Sequence, residues 1–289
     1  MFKRVAIIGL GIIGNSMGLA LHKANAAQQI VGYDSSKHQV HDAQKNGAID
    51  QSSSSLAEAI RGSEFIILTL PINSMRSCFQ TIATIASSGT VITDVASTKA
   101  QVISWAEEYL PPSVFFVGGH PIISKDIFDD KLASATLLKH CVYCLTPTKR
   151  TSSVALDTVI KLIELLDAQV RFLEPAEHDG LVAGVNHMPF VISAILMNTV
   201  VGSPSWVDAS LVAEKSMYDM TRLSSSHPEV YRDICLTNSE ALSRWLGEYI
   251  SELSSFRDQL MLHDSNLIQT FNRSKELREQ WQATQNANQ

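Results

Sequence analysis

The stretch Arg4-Val5-Ala6-Ile7-Ile8-Gly9-Leu10-Gly11-Ile12-Ile13-Gly14 decides the fold. A short β-branched run ends at Ile8, gives way at once to G-x-G-x-x-G, and the chain continues as a helix. In that setting each glycine has its own task. Gly9 makes the tight turn, Gly11 lets the backbone approach a pyrophosphate, and Gly14 lets helix and strand pack closely. Ile12 and Ile13 open the helix whose N-terminus would hold the anion. Asp34 lies 20 residues after Gly14, at the end of the next β-rich run, Val31-Gly32-Tyr33-Asp34. A carboxylate there accepts hydrogen bonds from ribose hydroxyls and repels a 2′-phosphate, so NAD is expected in preference to NADP. Lys37, in Ser35-Ser36-Lys37, is the one nearby group that could draw a phosphate. The same loop could be a ligand-free turn or a flavin site, but the chain leaves little room for a flavin-type second nucleotide domain.

Outward from this loop, strand candidates recur at Arg4–Ile8, Ile30–Tyr33, Phe65–Leu70, Val91–Val95, Val114–Val117, Val142–Leu145 and Val170–Leu173. Amphipathic stretches lie between them, including 73–86, 99–109 and the face Ala155, Val159, Leu162, Ile163 and Leu166. This alternation predicts an α/β fold, an N-terminal Rossmann-type, doubly wound and mostly parallel sheet over residues 1–174. After Pro175 the strands stop. Residues 177–201, 208–224 and 228–262 read as long helices, the last with a seam at Leu242, Leu246, Tyr249, Leu253, Phe256 and Leu260. An all-helical C-terminal domain, 175–289, is therefore expected, its apolar helices burying surface across a homodimer. Its polar tail from about Asn272 is expected to fray.

The chain has 289 residues, 45% hydrophobic and 18% charged, which excludes a disordered or disulfide-scaffold protein. Its formal charge of -6 argues against nucleic acid and anionic lipid and favours a small-molecule partner. Met1-Phe2-Lys3-Arg4 before an apolar run imitates a signal peptide, but the glycines at fixed spacing and the missing cleavage site speak against one. Residues 181–201 are interrupted by Asn186, His187, Pro189 and Asn198, so they read as a buried helix and not a membrane span. A cytoplasmic location is expected. Cys141 and Cys144 form a C-x-x-C without a second pair to complete a metal site, and read as buried thiols.

Ligands in a doubly wound sheet sit beyond the carboxyl ends of its strands, where this chain has Leu70-Pro71, Asp94-Val95-Ala96-Ser97-Thr98-Lys99 and Gly118-Gly119-His120-Pro121. The helical half adds Glu177-His178-Asp179, His187, Thr221-Arg222 and Pro228-Glu229-Val230-Tyr231-Arg232-Asp233-Ile234. Together and in this order, over nearly the whole chain, these resemble the prephenate/arogenate dehydrogenase family. The resemblance implies NAD(P)-dependent oxidative decarboxylation of prephenate or arogenate on the route to tyrosine, with a dicarboxylate substrate. It implies that His120 is the base for the ring 4-hydroxyl and that Ser97 bonds the same hydroxyl and the cofactor region. Arg222 would bind a substrate carboxylate, with His178, His187 and Tyr231 lining the site. Gly9, Gly11, Ile12, Ile13, Gly14, Asp34, Ser35, Leu70, Pro71 and Ser97 would hold the cofactor. As residues, His178 and His187 could equally be satisfied core histidines, and Ser97 a helix N-cap. Gly-Gly-His-Pro places His120 on a turn at a strand end.

Two departures bear on the substrate. Where the family continues His-Pro with a Met or Ile and then Ala-Gly, this chain has His120-Pro121-Ile122-Ile123-Ser124-Lys125-Asp126. Where many members read His-Leu-Pro-His, it has His187-Met188-Pro189-Phe190. A related cyclohexadienyl or hydroxy-acid substrate, or a non-catalytic NAD sensor, are the competing readings. A β-hydroxyacid dehydrogenase would need a lysine on the long helix, and 181–201 contains none.

Overall fold

A computed structural model describes residues 2–123 and 132–287. Ser124, Lys125 and Asp126 of the altered loop lie outside the described residues. One sheet of eight strands runs through the N-terminal part: β1 Phe2–Ile8, β2 Ala27–Tyr33, β3 Gln51–Ser52, β4 Phe65–Leu68, β5 Val91–Asp94, β6 Phe115–Ile122, β7 Val142–Thr146 and β8 Gln169–Phe172. Their order is β3-β2-β1-β4-β5-β6-β7-β8. The strands from β3 to β6 are parallel; β7 runs antiparallel to β6, and β8 is parallel to β7. The order reverses between β1 and β4, and the glycine loop leaves β1 at that switch point, where a crevice opens beyond the strand ends.

Buried on both faces, the central strands read as unbroken apolar runs. Val5, Ile7, Phe65 and Ile67 face one layer, packed with α1 (Ile12–Lys23) and α6 (Ser153–Leu165). Ala6, Ile8, Ile66 and Leu68 face the other, against α3 (Leu56–Ile60), α4 (Ile72–Ile85) and α5 (Ala100–Tyr109). The helix α2 (Lys37–Lys45) follows β2, capped by the Ser36 hydroxyl. Two-residue β3 escaped the sequence pattern because Gln51-Ser52 is polar and too short to show a period; short edge strands of this kind blunt unwanted pairing.

The long helix expected at 177–201 is continuous but not uniform. It consists of α7 (Pro175–Val182), a π turn (Ala183–His187) and α8 (Met188–Val200). Pro189 supplies the reason: it has no N–H, and its ring crowds the carbonyl four residues earlier, so the helix widens instead of closing normally. Its most apolar 18-residue window has a mean hydropathy of 1.6, enough by length and composition to cross a membrane, and only 22% of that window is buried. The expectation of a buried helix is thus corrected. His178, Asp179, Val182, Ala183, His187, Phe190 and Ser193 form a buried face, while Leu181, Val185 and Ile195 are exposed.

The later helices are shorter than expected. Residues 208–224 break into α9 (Trp206–Ala209), a 3-10 turn, α10 (Lys215–Thr221) and a second 3-10 turn, Arg222–Ser225. The span 228–262 splits at Asn238, whose φ of -130° and ψ of 35° separate α11 (Pro228–Thr237) from α12 (Ser239–Met261). The chain forms two compact units, Met1–Leu242 and Ser243–Gln289. In the second, α13 (Leu267–Ala287) follows α12, and Phe256 meets Phe271 edge to face. The tail expected to fray from Asn272 is the body of α13. It is free of Gly and Pro and rich in Gln, Glu, Arg and Ala, which favour helix even when solvated.

Candidate active site

The glycine loop has the shape a dinucleotide needs. Gly9 sits at φ +97°, and a Cβ there would strike the Thr69 carbonyl; one at Gly14 would run into the Gly9 carbonyl. At Gly11 a Cβ would meet nothing within 4 Å, so the surface beside it is open to a ligand. Helix α1 starts at Gly11 with no side-chain cap and no acidic residue in its first turn, leaving its N–H groups and positive end for an anion. The Asp34 carboxylate accepts from Leu10 N at 2.7 Å and from Ser36 N at 2.8 Å, so it also pins the loop. Each oxygen keeps acceptor capacity for a ribose hydroxyl. Thr69, for which the sequence offers no motif, donates to Gly9 O at 2.5 Å and holds the turn from the end of the neighbouring strand. These residues fit a dinucleotide.

His120 is not on a turn, as its sequence context suggested, but within β6. Beyond Val117 that strand has lost β5 and, among the described residues, pairs with β7 alone, so the ring sits past the carboxyl edge of the parallel sheet. Gly118 and Gly119 let this edge close. A Cβ on Gly118 would meet Thr146 Oγ1 at 2.5 Å, and one on Gly119 would meet Asp94 O at 2.7 Å. Beside Gly119, Lys99 and Asp94 form an ion pair with no exposed side-chain surface. Lys99 Nζ also donates to Gly119 O at 2.7 Å, and Gly119 N donates to Asp94 Oδ1 at 3.0 Å. Neither Lys99 nor Asp94 was singled out from sequence, although both lie in the segment quoted for Ser97.

A chain of hydrogen bonds joins the two halves of the first unit. His120 Nδ1 lies 2.9 Å from His178 Nε2, and His178 Nδ1 lies 2.8 Å from Asp179 Oδ1. Ionised, Asp179 only accepts, so His178 Nδ1 carries a proton. In the neutral ring its Nε2 then accepts from His120 Nδ1, which leaves the lone pair of His120 on Nε2. The network therefore assigns His120 the tautomer of a base. Asp179 also accepts from Lys99 N at 2.8 Å and Ala100 N at 2.9 Å, capping α5 from a distant helix. Ser97 is thus not the N-cap; it stands half-buried in the loop between β5 and α5. Burial, and then the positive charge that His178, Lys99 and His187 can carry, push the His120 pKa well below 6.5.

His187 lies in the π turn, 3% exposed, its Nδ1 3.3 Å from Asn238 Nδ2. Burial pulls its pKa down to about 4, against Asp179, which raises it, and His178, which lowers it further. An unfolded histidine titrates near 6.5. Between these values the unfolded chain binds the extra proton, so this contribution to stability is full above pH 6.5 and is lost as the pH falls toward 4. At pH 5 the loss comes to about 2 kcal/mol. Between pH 7 and 5 the wild type is expected to lose that much more unfolding free energy than His187→Gln in denaturant titrations; equal losses would show that the ring is not held neutral.

Phe190 and Tyr231 stack face to face with an interplanar angle of 14°. The residue after Pro189 is thus covered by the ring of Tyr231. Arg222 opens a 3-10 turn that packs on α8, and its side chain is exposed. Cys141 and Cys144 are buried free thiols, and burial raises both pKa values.

Residues 17–172 match the family model described as the prephenate dehydrogenase nucleotide-binding domain, and residues 174–273 the one described as the prephenate dehydrogenase dimerization domain. Prephenate dehydrogenase of Bacillus subtilis is 30% identical over 285 residues, covering 96% of this chain and 76% of that protein. Cyclohexadienyl dehydrogenase of Zymomonas mobilis is 26% identical, covering 96% of each. Among solved structures, prephenate dehydrogenase of Aquifex aeolicus in complex with hydroxyphenyl propionate and NAD+ superposes with a TM-score of 0.88 at 25% identity, over 97% of this chain and 98% of that one.

Proposed function

The chain belongs to the prephenate dehydrogenase family, and from that premise we propose how its residues carry out the NAD-dependent oxidative decarboxylation of prephenate, arogenate or both. The observation that carries the reading is the hydrogen-bonded chain Asp179, His178, His120, set at the carboxyl edge of the sheet that also bears the glycine loop. His120 Nε2 takes the proton of the ring 4-hydroxyl as that carbon becomes a carbonyl, and Ser97 supports the same hydroxyl. NAD, when bound, supplies the hydride acceptor. Loss of the ring carboxylate as carbon dioxide then aromatises the ring. Gly9, Gly11, Ile12, Ile13, Gly14, Asp34, Ser35, Leu70, Pro71 and Ser97 hold the cofactor. His178 positions His120, and His187, Tyr231 and Arg222 face the substrate. The working division is 1–174 for the cofactor and 175–289 for substrate and dimer.

The test mixes purified protein with NAD and each acid and follows reduced-cofactor absorbance. Turnover of at least one is expected, and none with either would sink the reading. Arg222 is the fixed cation for a carboxylate, and a planar fork is not reproduced by an ammonium. Arg222→Lys is therefore expected to raise KM roughly 10-fold or more, from the ~1.5–3 kcal/mol of a charged hydrogen bond; an unchanged KM would remove Arg222 from the site.

A homodimer through the helical half completes the reading. Val185 is 72% and Ile195 57% exposed on the first unit, and Ile250, Leu253, Phe271 and Trp281 are each more than half exposed on the second. Patches of this kind mark association surfaces. Light scattering after gel filtration is expected to give twice the chain mass, and a monomer at micromolar concentration would contradict it. A cytoplasmic location is supported by the four free cysteines.

A further inference from the structure

We infer that Asn238 is a positioning residue that fixes His187 with its proton on Nε2, and that this N–H donates to an unprotonated oxygen of the bound substrate. The inference rests on the substrate site proposed above. Its starting point is a buried polar atom: His187 Nε2 has no hydrogen-bond partner among the described residues, although the ring is 3% exposed. Buried donors without acceptors are rare and call for a cause.

The tautomer follows from a contact on the far side of Asn238. Its Nδ2 lies 2.8 Å from the Asp179 backbone carbonyl, which can only accept. The nitrogen of the Asn238 amide, not its oxygen, must therefore point this way, independently of His187. That same nitrogen is the atom 3.3 Å from His187 Nδ1. An amide nitrogen only donates, so Nδ1 accepts, and a neutral ring must then carry its proton on Nε2. Burial keeps the ring neutral at ordinary pH.

The outcome is the reverse of that at His120. There the relay through His178 leaves Nε2 with a lone pair; here Asn238 leaves Nε2 with a hydrogen. The rings share one cluster, since a charge on His187 acts on His120 and one on His178 acts on His187. Asp179 ties both devices together, its carboxylate orienting His178 and its carbonyl orienting Asn238. One ring can thus remove a proton while its neighbour offers one. A neutral donor suits a carboxylate or keto oxygen and does not suit a hydroxyl proton or a metal ion. The sequence showed nothing of Asn238, which sits in Thr237-Asn238-Ser239 at the break between two helices.

The test labels the full chain with 15N-histidine and records long-range proton–nitrogen correlations at neutral pH, the His187 signals being identified by their loss in His187→Gln. A protonated Nε2 and a bare Nδ1 are expected, and a bare Nε2 overturns the assignment; this needs no variant at Asn238. In Asn238→Asp, whose carboxylate only accepts, the proton is expected to move to Nδ1. An unchanged pattern there removes Asn238 from the role. Adding NADH with saturating prephenate, or arogenate if only that acid is turned over, gives a complex that cannot react. The Nε2 proton is expected to move downfield, and no shift overturns the donor role. Turnover with NAD, measured on the same preparation, reports separately on the reaction itself.

Discussion

Replacement of His120 by Asn is expected to lower kcat by about 10²- to 10⁴-fold, the range for loss of a general base, while NAD binding stays near wild type. The reasoning separates the two effects. The ring lies beyond Val117, on the stretch of β6 paired with β7, whereas the glycine loop is fixed by Asp34 and Thr69 from other strands. An Asn amide can still donate to His178 Nε2, but it has no basic lone pair. Stopped-flow NADH formation with equilibrium NAD titration decides the matter. Full activity in the variant would place the base elsewhere, and loss of NAD binding would mean that the substitution damaged the sheet edge. The pH profile of the wild type adds an independent check. The active form is the unprotonated ring, and burial pushes its pKa well down. The acid limb of kcat/KM is therefore expected to fall below pH 6.5, with activity flat through neutrality.

The largest effect on stability is expected from Lys99→Met. The Lys99 ammonium has no exposed surface and is held by Asp94 and by Gly119 O. Removing it leaves a buried carboxylate whose remaining partners are Ala96 N at 2.9 Å and Gly119 N at 3.0 Å. Breaking a buried pair in this way costs about 3–5 kcal/mol. Denaturant unfolding should show a loss of that size. The double variant Lys99→Met with Asp94→Asn should recover part of it, because the uncompensated charge is then gone. A loss under 1 kcal/mol in the single variant would mean that water reaches Asp94, so that the pair does not lie in a closed interior. The same substitution bears on catalysis, since the pair braces the strand edge that carries His120.

Some of this was legible from residues alone because it depends on local chemistry. A glycine loop between a β-branched run and a helix, an acidic residue at the end of the next strand and the repeated alternation of periods are consequences of backbone geometry, and the sheet forms where they placed it. Helix interruptions were less legible. Pro189 announced a disturbance, but only packing turned it into a π turn bearing His187. Asn238 is an ordinary polar residue until the carbonyl of Asp179 arrives beside it from another helix. The tail beyond Asn272 looked like a fraying end because it lacks an apolar stripe, yet its propensity carries it as helix α13.

The site divides in the same way. Sequence by itself offered the cofactor loop and an NAD preference through Asp34, both from a short motif at a known place on a strand, and the family resemblance added His120 as the candidate base. Tertiary structure decided what those residues can do. It brought Asp179 and His178 to His120 across 58 residues of chain, buried Lys99 against Asp94 beside Gly119, and stacked Phe190 on Tyr231. The physical reason is that a ring's tautomer and a pair's burial depend on partners far away in sequence. A motif can name the histidine, but only the fold can say which nitrogen holds the proton.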